Sequence, residues 1–250
     1  MPALIFDCDG VLADTERDGH LPAFNEAFAE FRLDLHWDVP TYAEKVKIGG
    51  GKERIASDLP PRADTDEVVR GVHKRKTELF LDRVRDGLLP GRPGIHRLIA
   101  EALQAGWTVA VASTSAEASV RGVLEHAVGA ALAARCHVYA GDIVAAKKPA
   151  PDIYLLVLRD LGLDPRECIV VEDSGIGLQA ALAAGLTTVI TVSTFTAEDD
   201  FAGAALVVDH LGEPGQPSIV ISGPADLADG FVTLSHLESL LPSTQQEEPR

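Results

Sequence analysis

The sequence predicts an α/β fold, with a Rossmann-like parallel sheet core and an inserted all-α helical cap domain. Short apolar runs rich in β-branched residues alternate with helical patterns along most of the chain. That alternation is typical of a parallel sheet covered by helices on both faces. It fails once, because residues 7–107 carry helical patterns and no good strand. We therefore expect a helical insertion directly after the first strand.

The apolar runs give the predicted strands in order, at residues 3–6, 108–112, 137–140, 169–171, 188–192 and 206–208. A short additional strand is expected at 218–222. Helical patterns cover 16–32, 39–47, 52–59 and 65–85 in the insertion, and 92–105 and 152–161 beyond it. The last two end at Gly106 and Gly162, as helices commonly do.

These elements predict a division of the chain into domains. The core comprises residues 1–14 and 89–241, the helical cap comprises 15–88, and the polar tail at 242–250 is expected to be disordered. The cap closes at residues 87–94, where Gly and Pro cluster. Residues 213–230 are rich in Gly, Pro and Asp and give no clear pattern apart from the short strand.

Composition and charge exclude several classes of protein. The net charge of −16 argues against binding to nucleic acid or to an anionic membrane. No apolar stretch reaches the ~20 residues of a membrane span, and we expect no signal peptide, because the first predicted strand begins at residue 3. The cysteines Cys8, Cys136 and Cys168 are odd in number and lack metal-ligand spacing. We expect a cytoplasmic monomer with reduced thiols that acts on a small molecule.

The negative charge is unevenly distributed. Residues 15–88 carry 13 Lys and Arg against 15 Asp and Glu, so most of the excess negative charge lies outside the cap. An anionic substrate is therefore expected at a local cationic site, and the cap is the place to look for it.

Two carboxylates follow the first strand. Asp7 and Asp9 stand two residues apart after the apolar run, so both side chains point to one face of an extended segment. Gly10 then allows the chain to turn away. A solvated turn explains an isolated Asp-x-Asp-Gly equally well, but the other strand ends decide against it.

Hydroxyl side chains follow the second strand, as Ser113-Thr114-Ser115. Thr114 and Glu117 have the spacing of a capping box, and hydroxyls and free amides at a helix N-terminus make a phosphate site. The alternative for Ser113 is a plain N-cap.

A lysine and a second acidic pair follow the next two strands. Pro149 favours an extended conformation for Lys148, which can neutralise a carboxylate or a phosphoryl oxygen, although an exposed surface lysine is the alternative. Glu172 and Asp173 suit a hard Mg²⁺ ion. Two acidic pairs in one fold would repel each other unless a cation lay between them.

The cap offers a second anion site. Three glycines at 49–51 before Lys52 bring backbone amides and a cation together at a helix start, and residues 73–76 add a basic cluster. Glu16 and His20 are spaced i, i+4 and share a helix face. A solvated basic face and a structural histidine are the alternatives.

The order of these motifs resembles the haloacid dehalogenase superfamily of phosphohydrolases over residues 1–212. The resemblance implies strand order 3-2-1-4-5, with the site at the switch point of the sheet. It implies that Asp7 attacks phosphorus and that Asp9 protonates the leaving group and later activates water. It also implies Mg²⁺ held by Asp7, the Asp9 backbone carbonyl and Asp173, with Glu172 in support.

Longer strings resemble the CbbY branch of that superfamily: DTERDGH at 14–20, GGGKER at 49–54, HKRKTE at 73–78 and FTAEDDF at 195–201. That branch removes one phosphate from xylulose-1,5-bisphosphate, and residues 213–230 do not match it. The predicted substrate- and phosphate-binding residues are Glu16, His20, Gly50, Gly51, Lys52, Arg54, His73, Lys76, Ser113, Thr114, Ser115 and Lys148.

Other activities stay open at this point. A β-phosphoglucomutase-like phosphomutase has the same core and cap type but returns the phosphate to the sugar; Glu16 and the Gly-rich strings favour the phosphatase. A dehalogenase is disfavoured, because its chemistry transfers no phosphate and needs neither Asp9 as an acid nor a metal. A non-enzymatic phospho-receiver or sugar-phosphate-binding module also places acids, Ser/Thr and Lys around Mg²⁺, but it lacks the second Asp as an acid and a helical cap.

Overall fold

One sheet runs through the computed structural model, whose described residues are 2–61, 64–224, 227 and 229–242. Within them its strands are β1 (Ala3–Phe6), β2 (Thr108–Ser113), β3 (His137–Ala140), β4 (Cys168–Glu172), β5 (Thr187–Thr191), β6 (Leu206–Val208) and β7 (Val220–Ser222). Their order across the sheet is β3-β2-β1-β4-β5-β6-β7. Neighbours pair in parallel, except for the antiparallel pair of β6 and β7. The predicted parallel α/β fold and the order of the first five strands are confirmed.

Helices surround the sheet and fill the insertion. The insertion contains a π-helical turn (Glu16–His20), α1 (Leu21–Glu30), α2 (Val39–Lys45), α3 (Gly51–Ala56) and α4 (Thr65–Arg85). The later helices are α5 (Ile95–Gln104), α6 (Glu117–Val128), α7 (Ala130–Ala133), α8 (Asp152–Leu161), a 3₁₀ turn (Pro165–Glu167), α9 (Gly175–Ala183) and α10 (Leu234–Leu240). The regular elements between β1 and β2 are helical throughout the described chain. The domain boundaries at 14/15 and 88/89 stay a prediction.

Several helices differ from their predicted bounds, among them α2 and α3, which end at Lys45 and Ala56 and not at 47 and 59, and two of the differences have a clear local cause. The helix expected at 92–105 begins at Ile95, because Gly94 adopts φ +89 as its N-cap. The helix expected at 16–32 begins as a π-helical turn and continues as α1, with Pro22 in the first turn of α1. A proline lacks the amide hydrogen that a helix interior requires, so the first turn is the position that tolerates it.

Strand β1 lies in the middle of the sheet and is fully buried. Leu4 and Phe6 pack into one apolar cluster and Ile5 into another, as alternating side chains of a doubly covered strand must. Phe6 pairs with Val111 of β2 and with Val171 of β4. The residues that follow these three strands therefore meet at one edge of the sheet.

An aromatic cluster supports the insertion. Trp37 packs against Phe24 and Phe28 with ring centroids 4.9 and 4.7 Å apart, and its Nε1 donates to Oδ2 of Asp58 at 2.7 Å. Tyr42 is fully buried beside these rings. Buried aromatic pairs of this kind fix the relative positions of α1, α2 and the end of α3.

The C-terminal segment packs against α5. Arg97 of α5 donates to the carbonyls of Gly212 at 2.9 Å and Val232 at 2.7 Å, and its guanidinium lies over the ring of Phe231. The short strand expected at 218–222 is observed as β7. Most of the predicted disordered tail, residues 243–250, lies outside the described residues. None of the helices described is long and apolar enough to cross a membrane.

Candidate active site

Asp7 and Asp9 leave the end of β1 in the middle of the sheet. The amide of Asp7 donates to the carbonyl of Val171 at 2.9 Å, which continues the pairing of β1 with β4. Gly10 then turns the chain with φ +77. A Cβ atom on Gly10 would lie 2.0 Å from Oδ2 of Asp173. The turn therefore requires glycine both for its conformation and for the close approach of Asp173.

Lys148 lies between two carboxylates at this edge. Its ammonium donates to Oδ1 of Asp7 and Oε1 of Glu172, each at 2.6 Å, and to the carbonyl of Ala112 at 3.0 Å. Burial opposes the charge, but Asp7 and Glu172 raise the pKa of Lys148 well above its usual value. Tyr154 donates its hydroxyl to the same oxygen of Glu172 at 2.6 Å, so Glu172 is held from two sides.

The carboxylates of Asp7, Glu172 and Asp173 form a group that fits a metal ion. One oxygen of each lies within 4.8 Å of the others, and all three residues are buried. Burial raises the pKa of Asp7 to about 7 against the opposing effect of Lys148. Burial, Glu172 and Asp7 raise the pKa of Asp173 well above its usual range. A cation stabilises carboxylates crowded in this way, and oxygen ligands are those that hard divalent ions prefer.

Three donors surround Asp9. Its Oδ1 accepts from the hydroxyl of Thr15 and lies 2.8 Å from Nε2 of His20, and its Oδ2 accepts from the hydroxyl of Ser115. Burial alone would raise the pKa of Asp9, but His20 and these hydrogen bonds lower it well below the usual range. Lys76 places its ammonium 2.8 Å from Nδ1 of His20. Because an ammonium only donates, Nδ1 accepts and Nε2 carries the hydrogen that faces Asp9.

The hydroxyls after β2 do not form the predicted capping box. Helix α6 begins at Glu117 with Ala116 as its N-cap, two residues later than an N-cap at Thr114 requires. The amide of Ser115 instead donates to Oγ of Ser113 at 3.1 Å, and the hydroxyl of Ser115 binds Asp9. The predicted capping box is wrong, because the loop extends past Thr114 before the helix starts.

Glu16 is held by two partners from the insertion. Nη1 of Arg54 lies 3.1 Å from Oε1 of Glu16, and the hydroxyl of Tyr42 donates to Oε2. Burial alone would raise the pKa of Glu16, but the nearby Arg54 lowers it. Nε of Arg54 also donates to the carbonyl of Ile48 at 2.9 Å. These contacts hold the carboxylate of Glu16 and the guanidinium of Arg54 together at the wall of a cavity between the insertion and the sheet edge.

The Gly-rich loop borders the same cavity, but Lys52 points elsewhere. A Cβ atom on Gly51 would lie 3.0 Å from the ring of His73. Burial, with Lys76 and Lys52, lowers the pKa of His73 to about 3, so His73 is neutral at pH 7. Lys52 donates to Oδ2 of Asp142 at 2.5 Å. The structure thus differs from the prediction that Lys52 lines the site, because Asp142 draws its ammonium away.

A cavity of about 310 Å³ between the insertion and the sheet edge collects the remaining residues. It is lined by the predicted residues Asp7, Asp9, Glu16, His20, Gly50, Gly51, Arg54, His73, Lys76, Ser113, Thr114, Ser115, Lys148, Glu172 and Asp173. The chain therefore brings together groups from the core and from the insertion. Their catalytic, binding and metal-holding roles stay predictions.

Sequence analysis missed several supporting residues. Thr15 binds Asp9, Tyr42 binds Glu16, Tyr154 binds Glu172, and Ser193 donates its hydroxyl to Oδ2 of Asp173 at 2.7 Å. Thr15 lies within the string at 14–20 that resembles the CbbY branch, so its position in that string could have indicated a role in the site. The other three lie on separate elements where no local pattern marks them.

A sequence profile of the haloacid dehalogenase-like hydrolases matches residues 1–185. The chain belongs to this family. The CbbY protein of Cupriavidus necator is 49% identical over 225 residues, covering 87% of this chain and 88% of that protein. The CBBY-like protein of Arabidopsis thaliana is 48% identical, covering 85% of this chain and 70% of its own length. These relatives confirm the resemblance to the CbbY branch of the haloacid dehalogenase-like hydrolases.

A solved structure agrees with this membership. CbbY from Rhodobacter sphaeroides, in a mutant form in complex with xylulose-1,5-bisphosphate, superposes with a TM-score of 0.79 at 39% identity. The match covers 86% of this chain and 97% of that one. The hydrolase is therefore similar in both fold and sequence to a CbbY protein over nearly all of the latter's length.

Proposed function

We propose that this hydrolase removes one phosphate from a sugar bisphosphate, and that the sugar bisphosphate is xylulose-1,5-bisphosphate. The observation that carries the proposal is that Asp7, Asp9 and Lys148 share one cavity with the buried Lys76 of the insertion. A cavity with a cation on each side suits a substrate with a phosphate at each end. The CbbY structure with xylulose-1,5-bisphosphate supports this choice of sugar.

Asp7 is the nucleophile. One carboxylate oxygen attacks phosphorus, the bond from phosphorus to the sugar oxygen breaks, and an aspartyl-phosphate forms. Water then attacks the same phosphorus, and Asp7 is released as a carboxylate. Lys148, 2.6 Å from Oδ1, opposes the burial that raises the pKa of Asp7 to about 7, so that the ionised form is available near neutral pH.

Asp9 handles the proton in both steps. Its lowered pKa keeps it ionised before substrate binds, which suits its second task of taking a proton from the attacking water. Its first task, protonation of the leaving sugar oxygen, requires a proton on Asp9. The negative phosphoryl group of the bound substrate favours that protonation, because a like charge nearby raises the pKa of a carboxyl group, and the proton comes from solvent.

Mg²⁺ is the proposed cofactor. Asp7, Asp173 and the backbone carbonyl of Asp9 would hold it, with Glu172 in support. When bound, it neutralises negative charge on the phosphoryl group and on Asp7. Ser193 holds Oδ2 of Asp173 at 2.7 Å, which keeps the carboxylate directed at the cluster.

Lys76 is proposed to hold the phosphate that is not transferred. Its ammonium contacts His20 and lies 4.5 Å from the ring centroid of Phe24 and 5.4 Å from that of Phe80. Glu16 and Asp9 act on this charge from a distance, but among the described residues no carboxylate forms a salt bridge with the ammonium, which can therefore pair with an anion. Burial lowers the pKa of Lys76 to about 8, and a phosphate beside it would offset the cost of burying that charge.

Turnover separates this proposal from its rivals. We expect many equivalents of phosphate per protein from xylulose-1,5-bisphosphate with Mg²⁺, almost none with excess chelator, and a sugar monophosphate as the other product. A phosphomutase would yield an isomeric sugar phosphate without net phosphate release. A receiver or a binding module would release at most one equivalent.

Two further expectations accompany this proposal. We predict a monomer, which sedimentation of the purified protein checks, and a cytoplasmic location, which fractionation of cells checks. The substrate is a small molecule, and no nucleic acid or membrane partner is expected from the net charge of −16.

A further inference from the structure

Four charged side chains form an alternating row between the insertion and the segment that carries Lys148. Lys52 and Glu53 come from α3, and Asp142 and Lys147 come from residues 141–151, which lie between β3 and α8. Lys147 Nζ lies 2.6 Å from Oε1 of Glu53 and 3.0 Å from Oδ1 of Asp142, whose Oδ2 accepts from Lys52 at 2.5 Å. These four residues are not among those that line the cavity, so the row lies beside the cavity and not in its wall.

Lys147 is the most enclosed member of the row. Its side chain is 18% exposed, against 38% for Lys52, 45% for Glu53 and 54% for Asp142. Burial opposes its charge, but Glu53 and Asp142 raise the pKa of Lys147 above its usual value. Lys147 therefore stays charged and paired while it bridges the insertion and the core.

The Gly-rich loop, residues 49–51, lies directly against the side chain of Lys147 and the backbone of Lys148. A Cβ atom on Gly50 would lie 2.6 Å from Nζ of Lys147, and one on Gly49 would lie 2.9 Å from the backbone carbonyl oxygen of Lys148. At Gly49 a side chain would collide with backbone, and at Gly50 the φ of +99 favours glycine, although the Lys147 ammonium could move aside. The insertion thus touches the backbone of Lys148 as well as the side chain that precedes it.

We propose that Lys147 is a positioning residue that couples the placement of α3 to the placement of Lys148. The inference rests on the proposed function, in which Lys148 must meet Asp7 and Glu172. When α3 covers the cavity, Glu53 holds Lys147, and the adjoining Lys148 is held at 2.6 Å from both carboxylates. Loss of the ion pair between Lys147 and Glu53 lets residues 141–151 move. The ammonium of Lys148 then contacts Asp7 for a smaller fraction of the time.

The local backbone explains why a side-chain tie matters here. Residues 141–151 contain no helix or strand, so no ladder of backbone hydrogen bonds fixes them. The amide of Ala150 donates to the carbonyl of Lys147 at 2.9 Å, and that of Ala146 donates to Oδ2 of Asp152 at 3.1 Å. Both contacts are internal to the segment and the start of α8, so Lys147 adds a connection to a different part of the protein.

A double-mutant cycle tests the coupling. The variants are Lys147→Met, Lys147→Arg, Glu53→Gln and the double variant Lys147→Met/Glu53→Gln, assayed for kcat and KM with xylulose-1,5-bisphosphate. The matched control is Glu30→Gln, which removes one of the two carboxylate partners of Arg75, as Glu53→Gln does for Lys147; Glu30 is 41% exposed, close to the 45% of Glu53, but pairs wholly within the insertion. Thermal unfolding of each variant shows whether the fold is retained.

We expect Lys147→Met and Glu53→Gln each to lower kcat by about threefold or more, the scale of one partly exposed ion pair, with little change in KM. The double variant should fall no further than the worse single variant, Lys147→Arg should keep most of the activity, and Glu30→Gln should match wild type. Independent, multiplying losses, or a loss that Lys147→Arg does not rescue, would overturn the proposal.

Hydrogen exchange tests the same coupling without any catalytic activity. Glu53 lies on α3. We expect Glu53→Gln to speed hydrogen exchange at the backbone amides of residues 144–150 other than Pro149, whereas Glu30→Gln should not. Unchanged exchange at 144–150 in Glu53→Gln would overturn the proposal. If wild type released no phosphate while exchange still responded to Glu53→Gln, the proposed function would fail and the coupling would stand.

Discussion

The ammonium of Lys148 lies 2.6 Å from Oδ1 of Asp7, although 141 positions separate them in the chain. The contact forms because Asp7 directly follows β1 and Lys148 follows β3, which lies two places away in the sheet. Removing one partner of such a buried pair leaves an uncompensated charge, which is more costly than the pair itself is stabilising. The core therefore places a permanent cation on its proposed nucleophile.

The roles of the two acids are separable by mutation. Asp7→Asn should abolish turnover and leave no covalent phosphate, because the nucleophilic oxygen is lost. Asp9→Asn should still accept phosphate on Asp7 from a reactive donor, but hydrolysis should slow by ~10²–10⁴-fold, the usual worth of general acid–base help. Mass spectrometry of the intact protein measures both. Near-normal turnover by Asp7→Asn would end this assignment.

Asp173 should be required both for Mg²⁺ binding and for full activity. Asp173→Ala removes one of the three clustered carboxylates, so we expect weaker Mg²⁺ binding and lower activity together. Titration calorimetry with Mg²⁺ alone gives the first quantity and phosphate release gives the second. Asp199→Ala is the control, because Asp199 also lines the cavity but caps α9 through the amide of Gly175 at 2.8 Å. Equal Mg²⁺ affinity in wild type and Asp173→Ala would contradict the proposed metal site.

The pH dependence of substrate choice should follow Lys76. Burial lowers the pKa of Lys76 to about 8, so its charge is present below pH 8 and lost as the pH rises through that value. We expect the kcat/KM ratio of bisphosphate to monophosphate to fall over the same range, since kcat/KM reports the free enzyme. Lys76→Arg should retain the preference to higher pH, because arginine stays charged. A ratio independent of pH from 7 to 9 would remove Lys76 from the second phosphate site.

Gly10 should tolerate no side chain. In Gly10→Ala the new Cβ would meet Oδ2 of Asp173 at 2.0 Å on a backbone with φ +77. Gly106→Ala has a similar φ of +80 but meets nothing within 4 Å, so it isolates the backbone strain of ~1–3 kcal/mol. We expect Gly10→Ala to lose more unfolding free energy than Gly106→Ala and to lose activity as well. Equal losses of stability in chemical denaturation would show that the close approach of Asp173 is unimportant.

The sheet and most of the core site were predictable because each strand end carries its own signal. An apolar run fixes where a strand stops, and parallel strands bring their carboxyl ends to one edge. Asp7, Lys148 and Asp173 could thus be placed together without any knowledge of side-chain contacts. Their order along the chain also supplied the family resemblance that the relatives confirm.

The insertion was less predictable, because its contacts depend on which charges meet across the cavity. A lysine after a glycine loop is predicted to bind an anion in the site, and Lys52 fits that pattern. In the structure its ammonium instead donates to Asp142, 90 positions away in the chain. Tyr42 binds Glu16 from α2, and no spacing in the sequence relates the two. The capping box at Thr114 failed for a local reason, since α6 starts two residues later.

Comparison of kcat/KM for xylulose-1,5-bisphosphate with kcat/KM for the xylulose monophosphate that carries only the transferred phosphate, at pH 7 with Mg²⁺, tests the central proposal most directly. Losing one charge-assisted contact costs roughly 1.5–3 kcal/mol, so we predict that the bisphosphate is preferred by at least tenfold and that Lys76→Ala removes most of this preference while slow hydrolysis of the monophosphate continues. Equal kcat/KM values for the two substrates, or a preference of the wild-type protein for the monophosphate, would contradict the bisphosphate assignment.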